Sequence, residues 1–537
     1  MQRVSPVDAA WLAIESRDTP MHVGGLFEFT LPPDAPEDYL GKLFAQMREV
    51  RTIPPPWNLK LVELPVLGSR LPAMRQVHDV DLDYHVRHSA LPHPGGQREL
   101  GVLVSRLHSN ELDMQRPLWE VHLIEGLEGN RFAMYSKIHH SLVDGVSAMR
   151  LIIRTLSGDP AERGTPSFWT VGAGERPSRE GSRDGAGPLA QPLGLLREGA
   201  AAAGGLSRAA LDLAVAAVDG RSLQAPYRSP SSALGGKLGG QRRFATQQYE
   251  FARVKRIAAT FDCTLNDVVL YLSGTALRRY LLEHARLPER PLTAGIPVNL
   301  RDDSDQSMGT AIGIMIAELG TNVANPLERL RAIARSTREA KEHLSRIPPE
   351  ARTSYTLLMN GPYVAALMLG LGGRAPVPFN VAISNVPGPT EPLYMNGSRL
   401  DSLFPLSLLT HGNALNITCV SYAGTLNFGF TGARDTMPHL QRLAIYMGEA
   451  LQEIEGVMPA PRRAKEPSKS AAEPARRAKA SAKAARRNGA EPARRAQAPS
   501  KSAAKPARRA KAPVKAPSNS AAKPARRSSG RGSSAEG

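Results

Sequence analysis

Hydrophobic and polar positions along the first 459 residues follow two rhythms, and each rhythm places elements. Between residues 131 and 138, Phe132, Met134, Ser136 and Ile138 alternate with Arg131, Ala133, Tyr135 and Lys137, a period of two that predicts a β-strand. Residues 146–156 follow with helical spacing, so strand, short loop and helix are expected in succession. Ser5-Pro6-Val7-Asp8 supplies a capping residue, a proline at the first helical position and an acid at the third, starting a helix over residues 9–14. Residues 292–298 predict a buried strand. Residues 380–384 predict another, stopped by Asn385-Val386-Pro387-Gly388-Pro389. Residues 415–422 and 425–431 flank Ala423-Gly424 as a hairpin, and a helix over 438–457 closes the patterned region.

Between these patterns, residues 158–190 are dense in Gly, Pro, Ser and charge, which reads as an exposed crossover, and the Ala/Leu-rich 189–218 reads as helical. The chain's 537 residues exceed what one core serves, so at least two folded units are expected. The divisions are 1–157, a crossover linker with a helical stretch over 158–242, a second unit over 243–458, and a tail over 459–537. In that tail EPARRAKA (473–480), EPARRAQA (491–498), KPARRAKA (505–512) and KPARRSSG (523–530) repeat one theme. It has no aromatics and, beyond alanine, Val514 as its one aliphatic residue, so it cannot bury enough surface to offset its ordering entropy and is expected to be disordered.

Charge sharpens that division. Of 68 Lys/Arg and 50 Asp/Glu, residues 460–537 hold 22 and 4, which leaves 46 of each in the body. The net +18 therefore belongs to the tail and says nothing about what the folded part binds. Cys263 and Cys419, far apart and outside any CxxC spacing, exclude a disulfide scaffold and a thiolate zinc cage, and suit a reduced compartment. Asp8, Glu15 and Asp18 interrupt the apolar stretch a signal peptide needs. The most apolar stretch, 356–373, is broken by Asn360-Gly361-Pro362, so no spanning helix is expected.

The stretch that carries chemistry is Ile138-His139-His140-Ser141-Leu142-Val143-Asp144-Gly145, at the predicted strand-to-helix boundary. A strand end lets a side chain face a cleft while its backbone stays anchored. His140 and Asp144 are separated by three residues, and Gly145 permits a tight backbone bend. A loop of that length folds the carboxylate back beside the imidazole or locks it into the loop's own support. Imidazole is the side chain whose ordinary pKa suits proton acceptance near pH 7. Positioned general-base catalysis contributes about 10²–10⁴-fold.

HHSLVDG resembles the active-site motif of the bacterial wax ester synthase/diacylglycerol acyltransferase family, within the HxxxD acyltransferase superfamily. SPVDAAWLAIESRDTPMHVGG (5–25), DLDYHVRHSALPHPG (81–95), RPLWEVHLIEG (116–126), TLNDVVL (264–270), GIPVNLR (295–301) and SNVPGP (384–389) also look like family motifs, so the resemblance covers most of 1–458. It implies two chloramphenicol-acetyltransferase-like α/β sandwich domains around a central channel. It further implies an O-acyltransferase that needs no cofactor, takes acyl-CoA as substrate and esterifies diacylglycerol or a long-chain fatty alcohol; the alternatives are a condensation-like enzyme forming amides or esters and a catalytically weak lipid-inclusion or polyanion-tethering scaffold. His140 is then the general base that deprotonates the hydroxyl for direct attack on the thioester. His139 is its neighbour, and Asp144 supports the loop.

Other residues are softer candidates. Thr264 and Asp267 match a capping box, so Asp267 is expected as a helix cap, with Asn266 in the first turn as an oxyanion contact. The resemblance gives Arg301 and Asn385 structural-support roles. His78, His85, His88 and His93 invite a metal reading, which is rejected because His85 and His88, on a strand-like run, would face opposite sides and no acidic or thiolate partner is suitably spaced. Long-chain lipid substrates imply a cytoplasmic protein peripheral to the inner face of the membrane or to lipid inclusions, with 189–218 and then 355–371 as candidate contact segments, each of which reads first as a buried packing helix. The basic tail is expected either to bind polyanions nonspecifically or to be a solvated appendage.

Overall fold

The computed structural model describes residues 2–4, 6–66, 69–143, 145–172, 226–299 and 312–459. The crossover segment 189–218, the tail, Asp144 and Arg301 lie outside the described residues. The first half runs β1 (Gln2–Arg3), α1 (Pro6–Ala13), β2 (His22–Thr30), α2 (Tyr39–Arg48), β3 (Leu59–Val66) and β4 (Ser69–Gln76). It continues with α3 (Leu82–His85), β5 (Val86–Ala90), α4 (Gln97–Ser109), β6 (Trp119–Leu127), β7 (Arg131–His139) and α5 (Gly145–Thr155). The second half begins with β8 (Arg242–Glu250), α6 (Phe251–Thr260), α7 (Leu265–His284), β9 (Thr293–Asn299), β10 (Ile312–Glu318), α8 (Pro326–Ser345) and α9 (Pro349–Met368). It ends with β11 (Val381–Val386), β12 (Tyr394–Met395), β13 (Ser398–Leu406), β14 (Leu415–Tyr422), β15 (Thr425–Ala433) and α10 (Leu440–Gly456).

These elements form two six-stranded sheets and a small three-stranded one, so the architecture is α/β as expected. In the second sheet, ordered β10-β9-β11-β14-β15-β8, β11 runs parallel to both neighbours. Helices cover that sheet, and β14 and β15 are buried on both faces, as central strands are. The hairpin between them turns on Ala423 (φ 43°) and Gly424 (φ 81°), a left-handed pair whose twist matches that of the strands. β11 extends through Val386, two residues beyond its expected end, because Asn385 and Val386 pair with Cys419 and Val420 before the prolines end the ladder.

The first sheet, ordered β12-β13-β2-β7-β6-β5, corrects the sequential division of the body at 243. β12 and β13 come from the second half, yet β13 pairs antiparallel with β2, from Leu406 opposite Gly24 to Arg399 opposite Thr30. A strand's period shows which of its faces is buried but not which sheet it joins. The edge strand β8 of the second sheet is covered by α4 of the first half. The amides of Arg242 and Phe244 donate to the hydroxyls of Ser109 and Ser105, at 2.8 and 3.0 Å, one helical turn apart.

His85 and His88 do not share a strand. His85 ends the short helix α3, its Nδ1 2.7 Å from the Trp119 carbonyl and its ring stacked on the Trp119 indole, while His88 lies in β5 beside Glu125 and Phe44. Trp119 itself is fully buried among Trp57, Phe168 and Trp169.

Beneath β7 lies a buried polar layer. The Lys137 ammonium, 1% exposed, donates to the carbonyls of Leu107 and Asn110 at the end of α4 and sits 3.1 Å from Glu120. Burial raises the Glu120 pKa, but His122, Lys137 and Arg87 outweigh it and hold the carboxyl at about 2. Burial, reinforced by Lys137 and Arg242, pushes His108 down to about 3. A histidine whose pKa is depressed on folding stabilises fully above its unfolded value of about 6.5 and loses that contribution as pH falls, at up to about 1.4 kcal/mol per pH unit. Glu120, depressed likewise, withdraws its share only between about 4.5 and 2. The urea midpoint is therefore expected to fall steadily from pH 7 to pH 5, and the His108→Gln variant to show a shallower fall. A flat midpoint across that range contradicts the assignment.

Candidate active site

β7 delivers two adjacent histidines into different surroundings. Its ladder with β2 ends at the His22–His139 pair, but the backbone stays held for one more residue. The amide of His139 donates to the Leu118 carbonyl at 3.0 Å, and that of His140 to the Met21 carbonyl at 2.9 Å. A tight turn, in which the Leu142 amide donates to the His139 carbonyl, leads toward α5.

His139 is sealed, at 1% exposure. Its Nδ1 accepts from the Ser141 amide at 3.2 Å and lies 2.7 Å from the Ser141 hydroxyl. That leaves the proton on Nε2, which faces the Glu15 carboxylate at 3.5 Å. His140 is half-buried, and its ring packs against the Trp11 indole with centroids 4.7 Å apart. Of the pair, His139 is thus buried, while His140 keeps part of its surface exposed.

Gly145 does not serve the bend expected of it. It is the first residue of α5, exposed, and outside the left-handed region. A methyl there would lie 3.4 Å from Val386 Cγ2, so the position brings the start of α5 against the end of β11. The second half touches the loop through this segment. Gly388 is wedged so that a Cβ would fall 2.2 Å from the Ser421 carbonyl and 3.4 Å from Met149 Sδ of α5. Asn385 lies one strand across from Cys419, whose thiol donates to Asn385 Oδ1 at 3.3 Å.

Asp267 is occupied as a cap. Its carboxylate accepts from the Thr264 amide (2.8 Å), the Thr264 hydroxyl (2.7 Å) and the Thr337 hydroxyl (2.5 Å), and its own amide donates to the Thr264 hydroxyl. Asn266 stands half-buried beside it in the first turn of α7, a helix that packs on β11. The structure thus brings His139, His140, Gly145 and the 385–389 turn together. Among the described residues, no group of three or more His, Cys, Asp or Glu could hold a metal.

Trp11 and Glu15 were not singled out by the sequence reading. Trp11 lies in α1 and Glu15 two residues past its end, both within the opening motif.

Residues 4–269 match the family described as "Wax ester synthase/diacylglycerol acyltransferase catalytic domain", and residues 308–455 match "WS/DGAT C-terminal domain". A probable diacylglycerol O-acyltransferase of Mycobacterium tuberculosis is 40% identical over 456 residues, covering 85% of this chain and 99% of that one. The O-acyltransferase WSD of Acinetobacter baylyi is 38% identical over 461 residues, covering 85% and 98%. A wax ester synthase/diacylglycerol acyltransferase from Marinobacter aquaeolei superposes with a TM-score of 0.67 at 38% identity, over 85% of this chain and 99% of that one. The first condensation domain of the CDA synthetase, at 15% identity and a TM-score of 0.53, shares the fold.

The wedge at Gly388 is testable without an activity assay. Gly388→Ala is expected to destabilise by about 1–3 kcal/mol, because strand backbone must move to admit the methyl. Gly41→Ala in α2, where an added methyl would meet no atom within 4 Å, is expected to be neutral or stabilising by up to about 1 kcal/mol. Thermal unfolding of the two variants side by side decides it.

Proposed function

We propose that this chain, which belongs to the wax ester synthase/diacylglycerol acyltransferase family, transfers a long-chain acyl group from acyl-CoA to the hydroxyl of diacylglycerol or of a long-chain alcohol. The observation that carries the chemistry is the contrast between the two histidines. His139 is buried, with Nδ1 accepting from the Ser141 amide and Nε2 3.5 Å from the Glu15 carboxylate, whereas His140 is half-buried and backbone-anchored, five residues before the start of α5.

His140 takes the proton from the acceptor hydroxyl as its oxygen bonds to the thioester carbonyl carbon. The tetrahedral intermediate collapses with cleavage of the carbon–sulfur bond, and the imidazolium returns the proton to the departing thiolate. No acyl-enzyme forms. Asn266 and the amides at the start of α7 are the donors we assign to the developing oxyanion. His140→Ala is expected to lower ester formation from palmitoyl-CoA by about 10²–10⁴-fold at unchanged thermal stability. Running the assay with hexadecanol and with dioleoylglycerol reads the acceptor preference. Full activity in the variant overturns the reading in favour of a lipid-binding scaffold.

Such substrates reside in lipid, and no helix among the described residues is long and apolar enough to cross a membrane. We assign lipid contact to the end of α9 and the residues just after it, where Met368, Leu369 and Leu371 are all about half exposed or more, with Leu369 at 74%. Seating each such side chain in a bilayer surface stabilises by up to about 1.5–3 kcal/mol. The basic tail adds attraction to anionic headgroups of about 1 kcal/mol per nearby cation. Leu369→Asp with Leu371→Asp, and separately deletion of 460–537, are each expected to weaken co-flotation with phosphatidylglycerol vesicles. Deletion alone should make binding independent of salt. Tail-dependent binding to duplex DNA but not to vesicles would reassign the tail to nucleic acid.

A further inference from the structure

We infer that Glu15 is a positioning residue for His140, acting on it through two connections that meet at one carboxylate. The inference rests on His140 as the base.

The first connection is covalently short. After α1 the chain makes a closed turn in which the Thr19 amide donates to the Ser16 hydroxyl at 3.2 Å and the two hydroxyls lie 2.7 Å apart. This turn brings Met21 back over Glu15, and the Met21 amide donates to Glu15 Oε2. The carbonyl of the same Met21 accepts from the His140 amide at 2.9 Å. Glu15 therefore fixes the residue on which the backbone of His140 hangs. The second connection runs through His139. Because Nδ1 of that ring accepts from the Ser141 amide, the proton on Nε2 faces Glu15 Oε2. Ser141, whose amide and hydroxyl are set by that ring, is the residue next after His140.

The surroundings make a carboxylate the right group. Glu15 is nearly buried, at 11% side-chain exposure, with the Met21 amide donating to its Oε2 and His139 Nε2 3.5 Å from the same oxygen. The turn is also gripped from the second half, since buried Arg242 at the start of β8 donates to the Asp18 carbonyl at 2.7 Å. Trp11 of α1, four residues before Glu15, supplies the ring against His140. A single N-terminal segment thus holds the backbone of the base, the ring of its neighbour and one face of its imidazole.

Glutamine at position 15 keeps an acceptor for the Met21 amide but removes the charge facing His139, whereas alanine removes both. A misplacement of about 1 Å at a reacting group costs about 10²-fold in rate. Glu15→Gln is expected to lower kcat about tenfold and Glu15→Ala about a hundredfold, with KM for palmitoyl-CoA and for the acceptor within about twofold of the parent. Glu15→Asp is expected to recover part of the loss. In a His140→Ala background neither substitution should lower the residual rate further. An inactive His140→Ala protein alongside a fully active, folded Glu15→Gln and Glu15→Ala would overturn the role of Glu15 while leaving the base in place. Losses confined to KM, or equal losses with and without His140, would overturn it too. Activity retained in His140→Ala would instead remove the reading on which it rests.

Discussion

One backbone hydrogen bond, from the amide of His140 to the carbonyl of Met21, is the constraint on which the site depends. Strand pairing ends at His139, and a residue one step beyond a ladder ordinarily has its amide released to solvent. Here the chain before β2 catches that amide, so the imidazole sits on backbone as fixed as the strand itself while its ring stays half-open. Fixed backbone with an accessible ring is what a positioned base needs, because misplacement is costly and complete burial would bar the reactant.

That fixity is passed on through polar groups at depth. Lys137, two residues before His139, is buried against Glu120 and ties down the last carbonyls of α4. Taking both charges out of water is expensive, and only the convergence of hydrogen bonds on each makes it tolerable. The return is geometric. With its end pinned by Lys137, α4 presents Ser105 and Ser109 to the amides of β8, so β7 is linked through one helix to the edge of the second sheet.

The second half reaches back by two routes. β13 completes the first sheet beside β2, and the turn after β11 presses Val386 and Gly388 against α5. The helix that follows the HHSLVDG loop therefore packs against residues more than two hundred positions away. A glycine at 388 is a packing requirement here, since the Ser421 carbonyl occupies the space a side chain would need.

What local pattern reports, the sequence determined by itself. The strand over 131–138, the helix after it, the hairpin at Ala423-Gly424 and the Thr264–Asp267 cap each follow from short-range sterics and periodicity, and the HHSLVDG string marked the loop. The tertiary structure alone decided which histidine is sealed, that Gly145 opens a helix instead of a bend, that β13 belongs to the first sheet, and that Trp11 and Glu15 stand behind the motif. The physical reason is common to all four. Periodicity records which face of an element turns inward, while the partner that face meets is set by packing between segments far apart in the chain.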